Sequence, residues 1–161
     1  IIRQNQLSRI GAAALLRRCT VAALGTLHDG APSVTMTPYA LAADRFEFLL
    51  LVSGLSAHTR DMLAEPRVGL MVLEPEGGAT PSHALARVSI RGTARALARD
   101  DPGYGMAHAA YAARFPEMTG LFELGDFRLF AIEPQAVRVV LGFAQAASLE
   151  PATLATALAS R

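Results

Sequence analysis

Lysine and tryptophan are absent from these 161 residues, and cysteine occurs once, at Cys19. One thiol cannot close a disulfide within the chain, so packing alone must hold the fold, and a cytoplasmic setting is expected. The cationic residues are all arginine, and Lys+Arg 15 against Asp+Glu 14 leaves a net charge of +1. That balance excludes a general nucleic-acid binder, which needs a clustered basic field. No stretch approaches the roughly 20 apolar residues of a membrane helix, and the run Phe48 to Val52 is only strand-sized. The four histidines, His28, His58, His83 and His108, are scattered without metal-ligand spacing, so no metal site is expected. No Gly-rich phosphate loop, dinucleotide fingerprint or Gly-x-Ser-x-Gly elbow is present.

What is abundant is apolar residue: 52% of the chain, with a mean hydropathy of +0.30. A domain of this length buries about 70% of its unfolded surface, so the excess points to apolar surface covered by a partner. No composition shift or linker divides the chain, and it reads as one domain over 1–161, with a tail from about 150.

The hydrophobic period predicts a helix over Leu7 to Arg18, then strands over Thr20–Leu27, Ser33–Leu41 and Arg45–Val52. Asp29-Gly30 and Ala43-Asp44 supply the turns, so these three strands read as an antiparallel meander. Ser56 is placed to cap a helix running to about Glu65, ahead of Pro66. Strands follow at Arg67–Leu73, Ala86–Ala98, Asp126–Glu133 and Val137–Phe143. A loop spans Glu74–His83, helices occupy Pro102–Arg114 and Glu117–Phe122, and Pro151–Arg161 forms a helical tail. About seven strands without βαβ alternation predict an antiparallel α+β fold, and a barrel would hide its sheet edges.

Three constellations carry chemistry. At the helix start, Ser53, Ser56, His58, Thr59 and Arg60 surround free backbone N–H groups, a set suited to a phosphomonoester. A plain helix cap with His58 and Arg60 facing solvent fits the same residues. In Ser33-Val34-Thr35-Met36-Thr37-Pro38 the period of two puts three hydroxyls on one face and Val34 and Met36 on the other. That hydroxyl face suits a polar ligand, and equally an ordinary solvent-facing strand. Pro38, lacking an N–H, marks an edge or a bend. In the long strand, Val88 and Ile90 face the core, while Arg87, Ser89 and Arg91 share the opposite face. Two arginines there need an anion, a partner or open solvent.

Together, and in this order, these elements resemble the FMN-binding split-barrel family related to pyridoxamine 5′-phosphate oxidase. The specific part is Leu51 to Val68, a strand, loop and helix closing on Pro66-Arg67-Val68. Its Ser53-x-Leu55-x-x-His58-Thr59 pattern is similar to the haem-utilisation branch, as are Asp126–Phe130 and Gly142–Ala146. The resemblance implies a six- to seven-stranded split barrel with flanking helices, and a homodimer with FMN at the subunit interface. It implies the flavin phosphate against His58, Thr59 and Arg60, the Ser33–Pro38 strand along the ring and ribityl chain, and Arg87 beside the flavin. It further implies an FMN-dependent oxidoreductase acting on a small-molecule substrate or reductant. The alternatives are a flavin-binding or storage protein and a haem-binding or haem-degrading relative. Oxidation of pyridoxamine phosphate is disfavoured, because Leu141–Glu150 holds no Arg or His to grip that substrate. Haem chemistry ranks below FMN, because no histidine follows His108.

Overall fold

The computed structural model describes residues 2–160. The chain begins with α1 (Ile2–Arg18), five residues longer than its period suggested. The strands are β1 (Val21–His28), β2 (Ala31–Pro38), β3 (Ala40–Leu41), β4 (Phe48–Ser53), β5 (Arg67–Leu73), β6 (Arg87–Leu97), β7 (Phe127–Val140) and β8 (Ala146–Leu149). Between and after them lie α2 (Ala57–Ala64), α3 (Tyr104–Arg114), a 3-10 segment at Pro116–Glu123 and α4 (Pro151–Ala159). The expected tail ends at Arg161, which lies outside the described residues. All eight strands form one antiparallel sheet in the order β2-β1-β5-β6-β7-β4-β3, with β8 added on β7. The fold is an α+β split barrel with flanking helices.

The β1–β2 hairpin follows directly from its turn. Asp29 and Gly30 both take left-handed φ, 50° and 81°, the pair that a two-residue hairpin turn requires. The expected second strand, Ser33–Leu41, is broken at Tyr39, and of it only β3 continues the meander, pairing Ala40↔Leu49 and Leu41↔Phe48. β4 does not pair with β2 but with β7, from Phe48↔Ile132 to Ser53↔Phe127. Pro38 ends β2, and the Tyr39 N–H turns back to the Thr20 carbonyl at 3.0 Å. Tyr39 then buries its ring, its hydroxyl donating to the Leu16 carbonyl at 2.7 Å. β4 is apolar on both faces. Phe48, Leu50 and Val52 enter the main core with α1, while Leu49 and Leu51 pack with Ala107 and Tyr111 of α3. Such a strand must be covered on both sides, and the meander position would leave one side to solvent.

The last two expected strands are one. β7 runs unbroken through Pro134 because the register slips there: Arg91 pairs with Ala136 but Gly92 with Pro134, leaving Gln135 as a bulge. A proline is tolerated at such a point because no ladder N–H is missed. Gly92 lies so close that a Cβ would sit 2.6 Å from the Glu133 carbonyl oxygen. β8, not expected as a strand although Gly142–Ala146 resembles the family's final hairpin, then folds back on the end of β7. At the other end of the chain, the Arg17 guanidinium donates to the carbonyls of Ala157, Leu158 and Ser160 and ties α1 to α4.

Candidate functional site

Two surfaces collect the residues singled out by sequence, and the sheet separates them. Across β1, β2 and β5, residues pointing inward are Leu24, Thr26, Thr35, Thr37 and Leu70; their neighbours in sequence point outward. The hydroxyl face of β2 is therefore the inner one. Thr37 is buried and Ser33 and Thr35 are half-buried, so this is no solvent-facing strand. Val34 and Met36 instead stand outward, 72% and 63% exposed.

The inner surface is organised by α2. Ser56 is its N-cap residue, but its side chain makes no capping bond. Ser53 Oγ is engaged with the Asp126 carboxylate at 2.8 Å, and it accepts the Leu55 N–H at 3.1 Å. Thr59 is fully buried, and its hydroxyl donates to the Ser53 carbonyl at 2.6 Å. Of the expected phosphate group, the Ser56 hydroxyl is uncommitted and Arg60 is exposed, reaching the Leu55 carbonyl at 3.2 Å. His58 Nδ1 lies 3.1 Å from Thr35 Oγ1, so α2 and β2 meet at this pair. Burial lowers the His58 pKa, although the Asp61 carboxylate opposes this, and the ring stays neutral at neutral pH.

Asp61 and His28 did not emerge as site residues from sequence. Asp61 is 5% exposed and accepts from Thr26 Oγ1 at 2.8 Å and His28 Nδ1 at 2.7 Å. Burial pushes its pKa up, but the hydrogen bonds from His28 and Thr26 outweigh that and hold it below the usual carboxylate value. His28, bonded to this carboxylate, is correspondingly raised.

The outer surface is a shallow bed. Cross-strand pairing sets Met36, Ala23, Met71 and Ser89 in one row, and Val34, Gly25, Gly69 and Arg91 in the next. Gly25 and Gly69 face each other in mid-strand. A Cβ on either would meet nothing closer than 3.6 Å, so neither glycine is demanded by packing within the chain. Mid-strand glycine is one of the features found where a ligand or another backbone approaches closely, and it is a signal present in the sequence. Arg87 and Arg91 border the bed as the period predicted. Arg138 joins them, opposite Ser89, and its guanidinium donates to Ser148 Oγ at 3.3 Å. None of these three has a carboxylate within 4.0 Å among the described residues. A hollow of about 410 Å³ lies over Arg91, Arg138, Ser89 and Ser148, with Glu150 on its rim. The larger cavity, about 740 Å³, is remote from both surfaces, between α1, the Tyr39–Phe46 segment, α3 and α4.

Within one chain, then, Arg87 and the α2 group lie on opposite faces of the sheet. Among the described residues no three His, Cys, Asp or Glu side chains gather as a metal site. None of the helices there is long and apolar enough to cross a membrane.

Residues 11–141 match the family profile described as pyridoxamine 5′-phosphate oxidase. The haem oxygenase HutZ of Vibrio cholerae is 30% identical over 119 residues, 73% of this chain and 66% of that protein. The chloroplastic haem oxygenase HOZ of Arabidopsis thaliana is 33% identical over 120 residues, 74% of this chain and 35% of that one. This chain thus spans about two thirds of one relative and about a third of the other. Among solved structures, a haem-binding protein from Mycobacterium smegmatis superposes with a TM-score of 0.82 at 25% identity, covering 92% of this chain and 60% of that one.

Proposed function

The chain belongs to the pyridoxamine 5′-phosphate oxidase family, in its haem-utilisation-like branch, and from that premise we propose that it binds haem on the outer face of the sheet. The observation that carries this reading is the bed itself. A porphyrin needs a flat apolar surface for its face and cations for its two carboxylates. Gly25 and Gly69 give the flatness, Val34, Met36 and Met71 the apolar contact, and Arg87 and Arg91 the charges. When bound, haem would supply oxygen chemistry, as the names of HutZ and HOZ indicate for those proteins. This chain's own part is to seat the ring and neutralise its carboxylates.

The missing histidine after His108 does not oppose binding of this kind. Adhesion through the ring face and carboxylates needs no axial ligand from that segment.

A second copy completes the arrangement. A ligand on an open sheet face keeps one side in water, and a two-fold partner laid over the bed would cover it. The same contact would cover the exposed Val34, Met36, Met71 and Leu73 and protect the β2 edge.

A second reading, FMN, is favoured by the uncommitted Ser56 hydroxyl and exposed Arg60 at the start of α2. Parallel titrations separate the two. Haem should give a saturable Soret shift at one equivalent per protomer, with a dimer in sedimentation. Saturable quenching of FMN fluorescence, with no saturable Soret shift, would overturn the haem reading in favour of FMN.

A further inference from the structure

We propose that His28 and Asp61 form a proton-linked latch that positions the β1–β2 hairpin, and so Val34 and Met36 of the bed, against α2. Its consequence for ligands rests on the haem reading above; the latch itself does not.

β2 is an edge strand, with β1 as its one sheet neighbour on that side. The sheet beyond β1 holds the hairpin only through β5, whose pairing with β1 covers Ala23–Gly25 and stops short of Thr26–His28 at the turn end. From beneath, α2 adds three side-chain contacts. Thr35 meets His58 at 3.1 Å, Thr26 donates to Asp61 at 2.8 Å, and His28 Nδ1 lies 2.7 Å from the other Asp61 oxygen. Two of the three pass through one carboxylate. That carboxylate is buried, and a buried carboxylate persists only while its oxygens are satisfied. His28, at the last position of β1, is more than half exposed, so protons reach it freely from solvent.

The charged groups facing His28 are Asp61 and Arg60 from α2 and Asp29 from the turn, with Asp29 Oδ2 3.8 Å from Nε2. His58 also feels the Asp61 charge but is itself held neutral by burial. Two carboxylates against one guanidinium favour the imidazolium. The hydrogen bond to Asp61 is the largest contribution and raises the His28 pKa above its ordinary 6.5. The sign follows from linkage. The charged latch is complete below the ordinary histidine pKa and weakens as pH rises through the raised value. Neutral His28 can still donate from Nδ1, but without the charge that makes the bond strong. His58 acts oppositely: it favours the folded hairpin above 6.5 and loses that support on acidification.

The test uses the whole chain without any ligand. Histidine ring protons are followed by NMR from about pH 5 to about pH 9, a range spanning the ordinary histidine value. Hydrogen exchange of the β2 amides is measured in parallel and corrected for intrinsic base catalysis. His28 should titrate above free histidine, and β2 protection should fall through the same interval. His28→Gln, which keeps a donor but cannot titrate, should abolish the fall, and Asp61→Asn should return His28 to its ordinary value. If Asp61→Asn does not fold, His28→Gln alone decides. A wild-type His28 titrating at or below free histidine would overturn the latch, as would an identical pH profile in His28→Gln. A haem titration at both ends of the range is the second arm. The ratio of the two affinities should exceed that of His28→Gln several-fold. A titrating latch with no haem binding at any pH would leave the latch standing and remove the haem reading.

Discussion

Replacing Gly69 by valine separates what the bed does for the fold from what it does for a ligand. The backbone there is ordinary strand, and a new Cβ would meet only the Ile90 carbonyl oxygen at 3.8 Å. Glycine inside a strand costs about 0.5–1 kcal/mol through lost backbone freedom, so the substitution should leave stability level or raise it by about that much. For a chain of this length that is a Tm change of roughly 0 to +4 °C. Binding should move the other way. An isopropyl group standing in the bed lifts a planar ring off the strands. If about 100 Å² of apolar contact is lost at about 25 cal/mol per Å², the cost is about 2.5 kcal/mol, or roughly 70-fold in Kd. Thermal melting of the ligand-free protein and Soret titration measure the two arms, and sedimentation reports whether the oligomeric state changes. Gly25→Val, whose Cβ would lie 3.6 Å from the Gly69 carbonyl, should behave alike. Haem affinity at the wild-type level in the double variant would refute the bed as a contact surface. A collapse of Tm would show instead that the glycines serve the fold.

Gly92→Ala is the counter-case: its Cβ would fall 2.6 Å from the Glu133 carbonyl and 3.0 Å from Ile132 Cγ2. The backbone oxygen cannot step aside cheaply, so about 1–3 kcal/mol should be lost, a fall of roughly 3–10 °C in Tm, and an unchanged melting curve would contradict the bulge geometry. Arg60→Ala tests the flavin reading on the other face. A charge-assisted phosphate contact of about 1.5–3 kcal/mol predicts FMN weakened about 10- to 100-fold, with haem affinity and Tm unmoved. No change in FMN binding would return Arg60 to an ordinary surface role.

Much of this architecture is written in local pattern, and the exceptions have physical causes. The alternation Arg87-Val88-Ser89-Ile90-Arg91 gives the inward and outward sides of β6 correctly, because a period of two is a property of the strand alone. Asp29-Gly30 gives its hairpin for the same reason. The placement of β4 is a different kind of fact. Short turns suggested a neighbour in sequence, and β3 does pair with β4 over two residues, but the long pairing is with β7, and only the two-sided apolar run Phe48–Val52 hinted that both faces would be covered. β2 had the right periodicity, and of the two readings open for its hydroxyl face the solvent-facing one fails. Its threonines turn inward because Thr35 meets His58 and Thr37 is sealed in the interior, and its apolar side chains are left outside. Asp61 is the clearest omission. Nothing beside it in sequence marks a carboxylate for burial; its partners Thr26 and His28 arrive from β1.

The long separation between β4 and β7 also bears on how the chain comes off the ribosome. Phe48–Val52 has only the two-residue β3 to pair with, at Phe48 and Leu49, until Phe127–Ile132 has been made, roughly eighty residues later, which at about 5–20 residues per second is on the order of 4–16 s. Throughout that interval a fully apolar strand waits without its partner, while β1 and β2 can already close on each other. The nascent chain is therefore most vulnerable to aggregation in its middle stretch, and slower translation between β6 and β7 should lower the yield of folded protein more than slowing anywhere before β4.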